Sequence, residues 1–189
     1  MEWIFAISVG LGLSAACGFR VFVPPFVAGL ASRLGHLELA ENFVWMSGDV
    51  ILIVLGAAIL IEALAFCLPI VSHFLDAIAI PVAVIAGTLL TASMVSDMSP
   101  WLHWSCAVIG GGGVAGVVKA NMTVIRGAAG MVAPGIGTMA VSIKELGASV
   151  IVAILSVALP LFAILAAGFG LIGTGYLGWR FFKRTSTPL

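Results

Sequence analysis

Four charged side chains stand where a charge is costly. Arg20 lies in the middle of the apolar run Gly12–Leu30, GLSAACGFRVFVPPFVAGL. Glu62 is the single charge between Val50 and Val71, Asp97 closes a run that starts at Ile78, and Lys119 follows the glycines Gly110–Gly113. An isolated charge at the centre of a bilayer costs about 2.5–3.5 kcal/mol even on the lenient insertion scale, so such groups mark solute paths, proton relays or interhelical ion pairs. Two of the four are basic and two acidic. Mutual neutralisation is therefore the economical arrangement. Arg20 and Lys119 would line a path for a small polar or anionic solute, and Glu62 and Asp97 would balance them or carry a coupling proton. Two plainer readings stay open. The charges could form ion pairs that only pin helices together. Arg20 could also stand near a helix end and reach a headgroup.

Other chemistry has less support. His73 and Asp76 are three residues apart, and Asp97 and His103 flank a second turn. Two ligands per cluster do not make a metal site, and neither HExxH nor a CxxC pair occurs. There is no GxSxG, and the glycine run lacks the GK[ST] of a phosphate loop. Cys17, Cys67 and Cys106 are scattered in apolar segments and read as small buried hydrophobes. The expectation is no metal, no cofactor and no catalytic group.

These residues must be positioned by membrane helices. Of the 189 residues 62% are hydrophobic and only 8% are charged, against about 25% charged in a soluble domain. Net charge is zero, which gives no electrostatic case for nucleic acid. The expected partner is the lipid bilayer, with a homo-oligomer as a candidate assembly. Glu2 stands where a signal peptide would carry basic residues, so no cleaved leader is expected.

The region Trp3–Leu34 is too long for one straight crossing. Pro24 and Pro25, with Gly18 nearby, should interrupt it and leave two short helices or a kinked one. Arg33–Asp49 reads as a polar loop or surface helix. Val50–Val71 reads as a membrane helix, Ser72–Asp76 as a polar turn, and Ile78–Val95 as a second helix with Pro81 in its first turn. Thr88 and Thr91 share one face of that helix and should pack on a neighbour. Trp101–Gly130 is a second interrupted apolar region, in which Gly111 and Gly112 permit close backbone contact. Met131–Gly147 reads as a loop carrying Lys144 and Glu145, and Ala148–Trp179 as the last membrane segment. Arg180, Lys183 and Arg184 then place the C-terminus in the cytoplasm.

The expected fold is all-α: one polytopic transmembrane helix bundle over residues 1–189 with two broken or hairpin helical regions. Superposing Arg20 on Lys119 brings small residues before a basic one in both regions, so 1–98 and 99–189 are candidate halves of a pseudo-symmetric internal repeat.

Three strings carry a family resemblance: GLSAACGFRVFVP, LDAIAIPVAVIAGTLLTASMVSDMSP and IGGGGVAGVV. They resemble the DUF4126 family of small bacterial integral membrane proteins over most of the chain. The resemblance implies a multi-helix inner-membrane protein and no particular activity. Arg20, Asp76 and Asp97 fall on matching charged positions, and Glu62 stands where the family is expected to carry an acid. Lys119 departs from the pattern, replacing a polar residue. Residues and resemblance together leave three classes: a small transporter or channel, an intramembrane lipid-modifying enzyme, and a non-catalytic scaffold. The broken helices favour the first.

Overall fold

The computed structural model describes residues 2–67, 69–95, 98–133 and 135–160. Among them are seven α-helices and two short helical segments of other pitch. These are α1 (Glu2–Phe19), α2 (Val23–Arg33), a 3-10 segment (Glu41–Ser47), α3 (Asp49–Cys67), α4 (Pro69–Met94), α5 (Pro100–Ser105), a π-helical segment (Cys106–Gly112), α6 (Gly113–Val132) and α7 (Ile136–Ala158). No strand occurs among the described residues, and the expected helical bundle is the fold.

Among the described residues three stretches are long and apolar enough to cross a membrane: Asp49–Phe66, Pro100–Val132 and Ile136–Ala158. Ile4–Phe19 and Ile78–Met94 are shorter apolar helices. α3 turns Ile53, Val54, Leu60, Ile61 and Leu64 outward. A helix that exposes such a row in water would aggregate, whereas lipid solvates it. This is a membrane protein.

Helix α1 is the axis of the bundle, with α4, α6 and α7 packed around it. Its Val9, Leu13, Ala16 and Cys17 meet Leu90 and Met94 of α4, Ala115 of α6 and Ala153 of α7 in one core. The residues are small because the helices approach closely. At Gly18 an added methyl group would lie 2.8 Å from the Ala115 carbonyl oxygen, so only glycine fits against α6 there.

The first interruption falls as expected. α1 stops at Phe19, Arg20 to Phe22 turn the chain, and α2 starts at Val23 with Pro24 and Pro25 in its first turn. Prolines are tolerated there because the first-turn N–H groups have no helical acceptor.

Two stretches need correction. Ser72–Asp76 is not a turn but part of α4, which starts at Pro69. Proline at a first helical position costs nothing, so the helix starts there and the polar residues follow inside it. Pro81 consequently lies inside α4, not in its first turn. Met131–Gly147 is not a loop: α6 runs to Val132, and α7 is already helical at Ile136. Gly135 makes the turn at φ 80°, a conformation that suits glycine. Trp101–Gly130, by contrast, is interrupted as expected, and of the broken and hairpin forms it takes the broken one. Its interruption is the π-helical segment, and the helical path continues from Pro100 to Val132.

Candidate functional site

The end of α1 is a buried helix terminus, and its backbone groups need partners. Side chains from three other helices supply them. Lys119 of α6 donates to the Phe19 carbonyl oxygen at 3.5 Å. Glu62 of α3 accepts from the Val21 N–H at 3.1 Å through Oε1. Ser149 of α7 donates to the Ala16 carbonyl oxygen at 3.0 Å. Arg20 points the opposite way. Its Nη1 donates to the Glu62 carbonyl oxygen at 3.3 Å, and its Nη2 donates to the Ser142 carbonyl oxygen at 3.0 Å and to Ser142 Oγ at 2.7 Å. A guanidinium with five fixed donors ties two foreign helices to the break. Arg20 is 1% exposed, so the headgroup reading is excluded.

Two turns along α6 from Lys119, and therefore on the same face, stands Arg126. It bridges two acids. Nη1 donates to Asp76 Oδ1 of α4 at 2.7 Å, and Nη2 donates to Glu145 Oε2 of α7. The three cations share one more neighbour, the buried ring of Phe66 on α3. Arg126 Cζ lies 4.2 Å from its centroid, Arg20 Cζ 4.6 Å and Lys119 Nζ 5.2 Å. One aromatic quadrupole thus helps hold three positive charges out of water.

Among the described residues the cluster comprises Arg20, Lys119 and Arg126 against Glu62, Asp76 and Glu145. The cations are at most 3% exposed, and Glu145 and Glu62 are nearly as buried. Asp76 stands at the edge with 17% of its side chain accessible. Two carboxylate oxygens, Glu62 Oε2 and Glu145 Oε1, are buried with no hydrogen-bond partner among the described residues. A buried charged acceptor without a donor is expensive, and it marks a position that can take a proton or a bound group.

Of the anticipated charges, Arg20, Glu62 and Lys119 come together here. Asp97 lies outside the described residues. Asp76, expected in a supporting role, is an ion-pair partner of Arg126. His73 is in α4, and its side chain lies outside the described residues. Thr88, Thr91, Gly111 and Gly112 gather elsewhere, where α4 meets the π-helical segment. Gly111 lies against Thr91 and Gly87, and Gly112 against Thr88. The glycine run therefore packs mainly on α4 rather than on the α1–α2 break, although Gly110 touches Leu11.

Sequence reasoning missed Arg126, Glu145, Ser142 and Phe66. Arg126 carried a signal, the seven-residue step from Lys119. Glu145 was hidden because its segment read as a loop. The buried positions of α7 are Ser142, Glu145, Ser149, Ala153 and Ser156, spaced by three or four. That small-polar stripe is the helical signal that the flanking glycines and proline masked. Among the described residues no group of three His, Cys, Asp or Glu side chains could hold a metal ion.

A family model described as a domain of unknown function, DUF4126, matches residues 7–180. No curated protein and no solved structure matches the chain.

Proposed function

The chain belongs to the DUF4126 family, and for it we propose the function of a small transporter or channel that passes a small anionic solute. The reading rests on one observation: three buried cations, Lys119 and Arg126 from α6 and Arg20 from the break after α1, converge on Phe66. Packed hydrophobic residues would hold helices together at least as well as buried ions do, so a cluster of this size needs a use beyond cohesion. Helix breaks at such depth are where transporters place solute sites. In this reading Lys119 is the principal anion contact, because its one described hydrogen bond is long and its other donors remain available. Arg20 and Arg126 add forked donors at fixed positions.

The reading also assigns a multi-pass arrangement in an inner membrane. The basic residues Arg180, Lys183 and Arg184 would hold the C-terminus in the cytoplasm. The working unit would be this chain alone or a homo-oligomer of it.

Flux measurement tests the proposal. The full chain is reconstituted in liposomes loaded with acetate, nitrate or phosphate, and anion release is followed against empty liposomes. The expected result is protein-dependent release of at least one of the three. Lys119→Gln should slow it about tenfold to a hundredfold, the worth of one hydrogen bond from a charged group. The double ion pair of Arg126 favours the scaffold as the second reading. No release of any of the three by folded protein would decide for it.

A further inference from the structure

We infer that the cluster couples anion entry to proton uptake, with Glu145 as the proton acceptor and one proton taken up per monovalent anion bound. The inference rests on the anion reading above and goes beyond it by naming the coupling ion, the acceptor and the stoichiometry.

The first support is charge balance. With every group ionised, the described cluster holds three cations and three carboxylates and is neutral. An anion entering it would carry an uncompensated charge into a buried site, which is the costly arrangement. Protonating one carboxylate leaves the cluster with one net positive charge, and a monovalent anion restores neutrality.

The second support is the unpartnered oxygen. Glu145 is 2% exposed, its Oε2 accepts from Arg126, and its Oε1 has no partner among the described residues. Oε1 is thus the position at which a proton adds without displacing an existing hydrogen bond. Glu62 also has an unpartnered oxygen, but its Oε1 holds the Val21 amide at the helix break and its backbone oxygen holds Arg20. Its place is tied to the fold.

The groups around Glu145 agree with this choice. From α6 it faces Arg126 and Lys119, and from α1 it faces Arg20. From α3 comes Glu62, which like Glu145 lies within Coulombic range of Lys119. From α4 comes Asp76, joined to Glu145 through Arg126. Helix α2, which also packs on α7, contributes no titratable group except Arg33, and Arg33 pairs with Asp49 at the surface. On α7 itself the neighbouring Lys144 is exposed.

The step is a simple proton transfer. A proton leaves hydronium at the Asp76 edge of the cluster, where the side chain is partly accessible. It forms an O–H bond at Glu145 Oε1, and water is the product. The neutral carboxyl holds Arg126 less strongly, and the anion takes its place on Nη2 of Arg126 with Lys119 beside it. Loss of the proton restores the ion pair and expels the anion.

The test uses the full chain purified in detergent, with acetate, nitrate and phosphate as probes. Titration calorimetry in buffers of different ionisation enthalpy counts protons taken up per anion bound. For acetate and nitrate the expected result is about one proton per anion, with binding about tenfold tighter for each unit fall in pH. Glu145→Gln should abolish both the uptake and the pH dependence. If that variant does not fold, difference infrared spectroscopy of the wild-type chain serves instead, and should show a protonated carboxyl band gained on adding anion. Anion binding without uptake, pH dependence or such a band overturns the coupling and leaves the anion path standing. Uptake that persists in folded Glu145→Gln overturns the assignment of the acceptor. No binding of any probe by folded protein overturns both readings.

Discussion

Among the described residues two polar regions lie inside the bundle, and they are built on different rules. One is the charged cluster around Phe66. The other is a neutral seam where α1, α4 and the π-helical segment meet. In the seam, Ser14 Oγ donates to the Gly87 carbonyl oxygen at 2.6 Å and lies 2.8 Å from Thr91 Oγ1. Gly87 and Gly111 bring two backbones into contact beside it. Among the described residues no buried side-chain nitrogen or oxygen of the seam lacks a partner, and each residue is small. The cluster is made of long side chains, and two of its buried carboxylate oxygens lack partners among the described residues. A neutral satisfied seam serves cohesion fully. An unsatisfied charged cluster costs stability, so the comparison points to the cluster as the place where the molecule does something other than hold together.

The comparison can be broken at its strongest point first. Arg126→Ala leaves Glu145 and Asp76 facing each other without their shared cation. It should destabilise the protein by about 3–5 kcal/mol. Adding Glu145→Leu should recover much of that loss. Reversible unfolding in mixed detergent measures both. A single variant as stable as the wild type would show that the cluster carries no buried charge of consequence.

Gly111→Ala tests the seam and should have a smaller effect. A methyl group there would lie 2.7 Å from Thr91 Cβ, so α4 and the π-helical segment must separate. Such overpacking costs about 1–3 kcal/mol. The same unfolding measurement applies, and the flux defined for the cluster should fall no further than stability does.

The smallest effect belongs to Thr91→Val, which removes one hydroxyl of the Ser14 pair and keeps the shape. Interhelical hydrogen bonds of this kind average about 0.6 kcal/mol and reach about 1.7 kcal/mol. Anion binding by this variant should match the wild type in both affinity and pH dependence. A change in the pH dependence would mean that the seam and the cluster are one unit, and the comparison would fail.

Residue chemistry alone determined that the chain belongs in a membrane, that its fold is helical, and that the first helix breaks beside Arg20. Each follows from local rules: composition rules out water as the solvent, and prolines forbid a continuous helical ladder. The identities of three cluster members were legible for the same reason. Arg20, Glu62 and Lys119 are charges in apolar sequence, and such charges must be gathered somewhere. Which helices gather them was a tertiary matter. Glu145 reads as a loop residue between glycines and a proline until α7 is laid against α1, and only that packing buries it opposite Arg126. Phe66 is one aromatic residue in an apolar helix, and nothing local distinguishes it from a lipid-facing ring. Its role arises because α1 and α6 bring their cations to it from residues 46 and more positions away in the chain. Pairing between buried charges depends on distance in space, and a sequence encodes that distance only through the packing of every helix at once.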